Sequence, residues 1–504
     1  MASDNAVDCL IIGAGISGIN AAYRFQSRFP DSTYTILDAR SELGGTWSFF
    51  KYPGLRSDSD LYTFGFPWNP WDEDREIATA PAILSYLHQS CEKFGIDRHI
   101  RYQHFVRELH WKSDLQRWQA TVVKGGGADQ PDSEGDGKEE LTYYARYLVL
   151  GTGYYDYHTP LQTTVPGLEH FKGTIIHPQF WDTSLSTDDK KVAIIGSGAT
   201  AVTLLPTLSE TAEKVTMIQR SPGYFFTPPL QDWFNAQARR WLPSWISQRI
   251  MRWRMIALNL FLIQLCWWFP QRASNILKSA TAQLLPKETT LTMEKDFSPT
   301  YTPMQQRLCI CPGGDFFEAL RRGKADIVTG PIASVEPHGV RMQDGRLVEA
   351  DILVTATGLK INVGGHARVL VDGEEVNVHD KFVWKGTMVQ DVPNLAIVIG
   401  YVDHPWTLGA DATSRLFTRI IAAVEKRGAT SVTPCLSEEE KRTVKDVPYI
   451  AINSTYLKAA REKGCFPRGG DRGPWVPRHN YLKDHWAAEW GGFGGLVFGK
   501  QSAD

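Results

Sequence analysis

Apolar residues near the start of the chain come in short blocks closed by glycine. Val7-Asp8-Cys9-Leu10-Ile11-Ile12 is such a block, and Gly13-Ala14-Gly15-Ile16-Ser17-Gly18 follows at once. A short apolar run bounded by glycine predicts a buried strand and a tight turn. A helix-like stretch then runs from Ile19 to Phe29, up to the breaker Pro30, and a second apolar block, Tyr34-Thr35-Ile36-Leu37, ends on Asp38. Strand, glycine turn, helix, strand and acid in that order predict a dinucleotide-binding unit. Asp38 stands 20 residues after Gly18, close to the ribose acceptor of such units.

The pattern is written again about 180 residues later. Lys191 to Ile195 reads as a strand, and Gly196, Ser197, Gly198, Ala199, Thr200 and Ala201 as the turn. A helix follows, then the strand Lys214 to Gln219. This second unit ends in Arg220-Ser221 rather than in an acid. Between the two, Trp118–Val123 and Leu141–Val149 predict a hairpin whose tip, Lys124 to Lys138, is rich in Gly, Asp and Glu and reads as a solvated, mobile loop. Leu148 to Gly153 and Asp351 to Gly358 are matched strands ending in Gly-Thr-Gly and Ala-Thr-Gly, read as crossings between two nucleotide-binding lobes. Leu395 to Gly400 is a third, weaker strand.

Phe234 to Leu285 breaks the rhythm. It is rich in Trp, Leu and Arg and reads as helical. Its most apolar stretch, Met255 to Phe269, is 15 residues with Asn259 and Gln264 inside, short of the roughly 20 needed to span a bilayer. Arg249, Arg252, Arg254 and Arg272 lie near Trp253, Trp267 and Trp268. An inserted helical cap packed on its own protein is the expected reading, and peripheral contact with a membrane surface through 234–285 is the alternative.

Composition narrows the classes. A chain of 504 residues, 42% hydrophobic and 22% charged, has enough apolar content for more than one domain and is no disordered polymer. With 54 Lys+Arg against 56 Asp+Glu it lacks the basic excess of a nucleic-acid binder. Seven scattered Cys make no disulfide framework, and Cys309-x-Cys311 has neither zinc-knuckle nor C-x-x-C spacing. Reduced, mostly buried thiols and no metal site are expected. Met1 to Asp8 lacks a basic n-region and an apolar leader, and the last residues match no retention or prenylation signal. A cytoplasmic location is the expectation, with membrane association as the variant.

The two turns differ in chemistry. Gly13 permits the tight turn, Gly15 lets a pyrophosphate reach the backbone, and Gly18 lets helix and strand pack; Asp38 suits the ribose diol of FAD. In the second unit the acid is missing and Arg220 can pair with a 2′-phosphate, which favours NADPH over NADH. Two different dinucleotides on one chain imply electron transfer between them. No Cys falls between Gly18 and Ser90, which disfavours a disulfide reductase. Reaction with oxygen or transfer to a partner remains.

Two long motifs then carry a resemblance. Gly44-Gly45-Thr46-Trp47 through Tyr52-Pro53-Gly54 to Asp58 fits [AG]G-x-W-x4-[FY]-P-[GM]-x3-D, and Phe171-Lys172-Gly173 through His177 to Trp181-Asp182 fits F-x-G-x3-H-x3-W-[PD]. Both are signatures of the Baeyer–Villiger monooxygenases, class B flavoprotein monooxygenases. Arg56 to Thr63, Gly196 to Pro206, Gln306 to Cys309, Trp406-Thr407-Leu408 and Asn480 to Asp484 resemble the ethionamide-activating branch, over about residues 7–485.

The resemblance implies an α/β fold of two Rossmann-like domains, for FAD and NADPH, with an inserted helical segment. Residues 1–160 would form the first part of the FAD domain. Residues 161–345 would form the NADPH domain, with the helical insertion at about 230–290. Residues 346–504 would return to the FAD domain and end in the tail. The resemblance further implies oxygen insertion beside a ketone carbonyl, through a C4a-peroxyflavin formed with O2, to give an ester or lactone. Oxygenation of sulfur or nitrogen by the same oxidant is the alternative. Arg307 matches the active-site Arg, Asp58 the acid that places it, Thr46 and Trp47 residues along the flavin, and Val106 an adenine-contacting backbone position. Gly196, Ser197, Gly198, Ala199, Thr200, Arg220 and Ser221 would hold NADPH. His177 matches a linker residue and reads as structural. Gln306 stands where many members carry Lys, which leaves the 2′-phosphate more to Arg220 and Ser221. The substrate would be a small apolar ketone or sulfide.

Overall fold

A computed structural model describes residues 5–125 and 139–500, so the expected loop at 124–138 lies outside the described residues from 126 onward. The first lobe is built on an 11-stranded sheet. At its centre the strand Ala6–Ile12 pairs in parallel with Tyr34–Leu37 on one side and Glu139–Leu150 on the other. Cys9, Leu10 and Ile11 are fully buried, as a strand sandwiched between layers requires. The predicted hairpin forms between Arg117–Lys124 and Glu139–Leu150, with Trp118 opposite Ala145. The weak third strand, Leu395–Ile397, returns beside Glu139–Leu150 and completes this lobe from the far end of the chain.

The helix Ile16–Arg28 buries Ile19, Ala22 and Phe25 against the sheet. Its outer side meets the long helix Trp406–Lys426 through Asn20–Ser414 (3.2 Å) and the Arg24–Asp411 ion pair (2.7 Å). Residues almost 400 apart thus share one face, which ties the first lobe's two chain segments together.

The second lobe is a five-stranded parallel sheet in the order Ala325–Thr329, Lys214–Gln219, Lys191–Ile195, Ile352–Thr355, Thr174–Ile176. Ile352–Thr355 lies inside this sheet, so the expected boundary at 345/346 falls too early and moves past Thr355. The misplacement has a simple origin: the strand pairs in parallel on both sides, and its apolar run carries no mark of which lobe it joins.

The Trp-rich segment folds as three helices, Trp233–Trp241, Ser244–Trp268 and Pro270–Leu284. The middle one is 25 residues, not the 15 of the apolar run, and is long and apolar enough to cross a membrane by length and composition. Its polar residues bind the first lobe. Arg252 donates to the carbonyls of Tyr62, Thr63 and Gly65, and Asn259 to Asp60. Asn235, on the preceding helix, donates to Glu76. One side of the segment is thus a cap on its own protein.

Candidate functional site

Both glycine turns open onto one cavity of about 830 Å³ between the lobes. Every site residue named from the sequence lines it except Gly18. Gly18 acts from behind. A Cβ there would lie 1.8 Å from the Gly13 carbonyl oxygen, so only glycine lets the helix start this close to the turn. Gly13 itself takes φ 101°, with Gly151 O in the way of any side chain. The helix behind it begins at Gly15 without a side-chain cap, which leaves its first N–H groups facing the cavity.

Asp38 does two jobs. Its carboxylate accepts from the Ala14 N–H at 2.7 Å and from the Arg40 N–H at 2.9 Å, so it pins the turn as well as facing the cavity. Arg40 carries a buried Nη1 with no protein partner, beside the Tyr157 and Phe49 rings. A glycine cradle, free helix N–H groups and an orphaned guanidinium nitrogen together fit the pyrophosphate and ribose of a dinucleotide. Thr46 bonds Tyr157 at 2.8 Å, Trp47 meets Phe64 edge to face, and Val106 is buried at the cavity wall.

The second turn repeats the geometry. Gly196 takes φ 133°, and a Cβ there would lie 2.2 Å from Ala356 O. Gly198 starts the helix Ala199–Leu208, again without a side-chain cap. Ala201 is fully buried where the first turn has Gly18. Ser197 donates to the Ser221 carbonyl at 3.4 Å, and Arg220 is exposed, reaching only Thr455 at 3.2 Å. No carboxylate among the described residues pairs with Arg220, so its charge is available to an anionic ligand.

Arg307 sits between the turns. Its Nη1 lies 3.6 Å from Asp58 Oδ2, and its Nε donates to Val402 O at 3.3 Å. Half its side-chain surface is accessible, and that surface faces the cavity. The cost of its partial burial is outweighed by Asp58, which holds the guanidinium above its ordinary pKa. Arg307 is a permanent cation. The tyrosines around it are held protonated, chiefly by burial: Tyr155, Tyr456 and Tyr52 all titrate well above the usual phenol range.

Several cavity residues escape the sequence reading. Tyr154 stacks on Trp406 at 5.1 Å, and Trp406 donates to Ser17 at 2.8 Å, so the second chain segment reaches the first turn. Asp156, just behind the lining, is held well below the usual carboxylate range because Lys360, Thr159 and the His158 N–H outweigh its burial. Cys309 points at the Ser197 carbonyl (3.5 Å), and burial, with Asp58 adding, pushes its thiol up to about 12. All seven cysteines are free. The signals for Arg40 and Tyr154 were present, two residues after Asp38 and directly after Gly153, but nothing local marks either as a site residue. His177 lies off the cavity lining and caps the turn at Pro178 by accepting from Gln179 N. Burial lowers its pKa.

Two dinucleotide cradles facing one cavity, with a fixed cation between them, define a two-nucleotide flavoprotein. Residues 8–255 match the family described as FMO-like, flavin-binding monooxygenase-like. The FAD-containing monooxygenase EthA of Mycolicibacterium smegmatis is 38% identical over 478 residues, 95% of this chain and 93% of that protein. EthA of Mycobacterium tuberculosis is 37% identical over 479 residues, 95% and 94% of the two chains. Among solved structures, the polycyclic ketone monooxygenase of Thermothelomyces thermophila superposes with a TM-score of 0.75 at 17% identity, over 98% of this chain and 90% of that one. A steroid monooxygenase bound to NADP gives 0.71 at 19%, over 98% and 100%. The chain belongs to the flavin-binding monooxygenase family. It is a flavoprotein oxidoreductase with the two-Rossmann-domain α/β fold of its structural neighbours.

Proposed function

We propose that the chain is a Baeyer–Villiger monooxygenase. It would take a ketone, O2 and NADPH with a proton, and release an ester or lactone, NADP+ and water. The first turn, with Asp38, Thr46, Trp47 and the Val106 backbone, holds FAD. The second turn, with Arg220 and Ser221, holds NADPH. FAD, when bound, supplies the hydride acceptor and the oxygen-activating ring. The residues of the chain do the rest. Asp58 places Arg307, and Arg307 presents a fixed positive charge where negative charge develops on oxygen. Such a charge is most effective in a site walled off from water. The protonated tyrosines around it add donors without adding charge.

The observation that carries this reading is the Arg307–Asp58 pair on the wall shared by both turns. A second reading is oxygenation of sulfur or nitrogen, favoured by greater likeness to the EthA proteins than to the ketone-oxygenating structures. The test is turnover of paired ketone and sulfide substrates under labelled O2 with NADPH. One label atom in an ester carries the first reading, and sulfoxide without ester carries the second. Arg307→Ala is expected to keep its flavin and lose ester formation. Ester output equal to the parent's would remove Arg307 from the reaction.

A further inference from the structure

The cap has two sides, and only one is used by the protein. Met251, Ile256, Ile263 and Cys266 of the long helix are buried, while only 22% of its most apolar 18-residue window is. The rest of its surface presents Trp253, Phe261 and Trp268 to solvent at 50, 67 and 71% exposure, and its first turn presents Trp245 at 63%. The preceding helix adds Trp233 and Trp241 at 76 and 72%. These Trp rings have apolar bodies and polar N–H tips, a combination suited to a boundary between water and hydrocarbon.

Charge decides what covers them. From Trp233 to Lys287 there are eight Lys and Arg and no Asp or Glu. The whole chain carries −2, so everything outside this segment sums to −10. Arg239 and Arg254 pair with acids, and Arg252 is spent on backbone carbonyls. Arg240, Arg249 and Arg272 pair with no carboxylate among the described residues; each lies instead against an exposed ring, Trp241, Trp245 and Phe269. A second copy of the chain would place this cationic face against itself across a two-fold axis, with nothing to neutralise it. A polyanionic surface neutralises it and accepts the rings as well.

We propose that this face docks on the surface of a bilayer containing anionic lipid, with the long helix lying in the interfacial plane. Spanning is disfavoured by the same residues. Arg252 and Asn259 hold the helix to the first lobe, and Arg249, Arg252 and Arg254, all within the helix, would face hydrocarbon if it spanned. The docking does not depend on the reaction proposed above.

The test is flotation of the flavin-loaded protein with vesicles of phosphatidylcholine alone and of phosphatidylcholine mixed with phosphatidylglycerol. Expected is flotation with the mixed vesicles, reversed by salt, and little with the neutral ones. Arg249→Gln and Arg272→Gln should each weaken binding about five-fold, since an interfacial cation contributes on the order of 1 kcal/mol. Trp253→Ala with Trp268→Ala should weaken it further. All four side chains are exposed, and retained flavin absorbance with unchanged circular dichroism would establish that the variants fold. Failure to float with either vesicle overturns the proposal, as does equal flotation with both. It is equally overturned if the Trp variants change only the oligomeric state, which would make the face a contact between copies.

Discussion

Glu76 is a strongly perturbed acid at the join between cap and first lobe. It is 4% exposed, and its Oε1 accepts from Asn235 Nδ2 at 2.6 Å. Asn235 in turn accepts from Arg254, which pairs with Asp232. Burial is the main influence, opposed by the Asn235 bond; Asp60 and Asp232 push in the same direction as burial, and Arg254 against it. The net effect raises the carboxyl from 4.5 to about 7. Because the folded value lies above the unfolded one, the folded protein holds the extra proton between these limits. Stability therefore falls as pH rises through that window, and the loss is complete above about 7. A rise of roughly 2.5 units corresponds to about 3 kcal/mol.

Glu76→Gln places a neutral side chain of the same length in the same pocket. It should leave stability near the parent's at about pH 5 and raise it by up to about 3 kcal/mol at about pH 8.5. The measurement is urea unfolding of parent and variant at both pH values, followed by circular dichroism and tryptophan fluorescence. A stability difference that is the same at both pH values would refute the reasoning. So would a Gln variant less stable than the parent at the higher pH, since the amide would then be no substitute for the protonated acid.

Four further outcomes follow from the site. Gly18→Ala drives a methyl group into the Gly13 carbonyl, so the variant should lose most bound flavin, read as absorbance per mole of protein. Arg220→Ala removes the exposed cation proposed to meet a 2′-phosphate; KM for NADPH should rise about 10- to 100-fold, as loss of a charged hydrogen bond implies, while KM for NADH stays within about two-fold. Asp58→Asn leaves Arg307 charged but loosely placed, so flavin content should hold while kcat falls about 10- to 100-fold, with Asp58→Glu recovering part of it. Cys309, raised to about 12, should react with iodoacetamide at pH 8 at only a small fraction of the rate of a free thiol, and rapid loss of activity under that treatment would contradict its protonated state.

What could be read in the chain was what is local. The two turns announce themselves because strand, glycines and helix follow one another within a dozen residues, and their physics is steric. The closest approaches that make those glycines necessary are not local. Gly13 is confined by Gly151 and Gly196 by Ala356, each from the Gly-Thr-Gly or Ala-Thr-Gly strand end that was read only as a crossing. The same distinction explains the boundary error at 345/346: Ile352–Thr355 is a strand by its own composition, but its partners, Val192 to Ile195 and Thr174 to Ile176, decide which sheet it serves. The length of the cap helix was missed for a related reason. Arg249, Arg252 and Arg254 interrupt the apolar run but not the helix, because Arg252 and Arg254 find acceptors in the first lobe and Asp232. Arg307 shows the limit most clearly. Its placement needs Asp58 from the first lobe's opening segment, Val402 from its closing one, and a strand pairing of Cys309 with Phe225 in the second lobe. No window of sequence contains more than one of these, so periodicity could not have assembled the site; only long motifs that fix several segments at once could point to it. The cap's outer Trp rings are in the reverse position. Half or more of each ring is exposed, and Trp241 and Trp245 lie against arginines of the cap itself, so core packing does not explain their identity, and exposed aromatic surface on this scale fits a face that receives another surface.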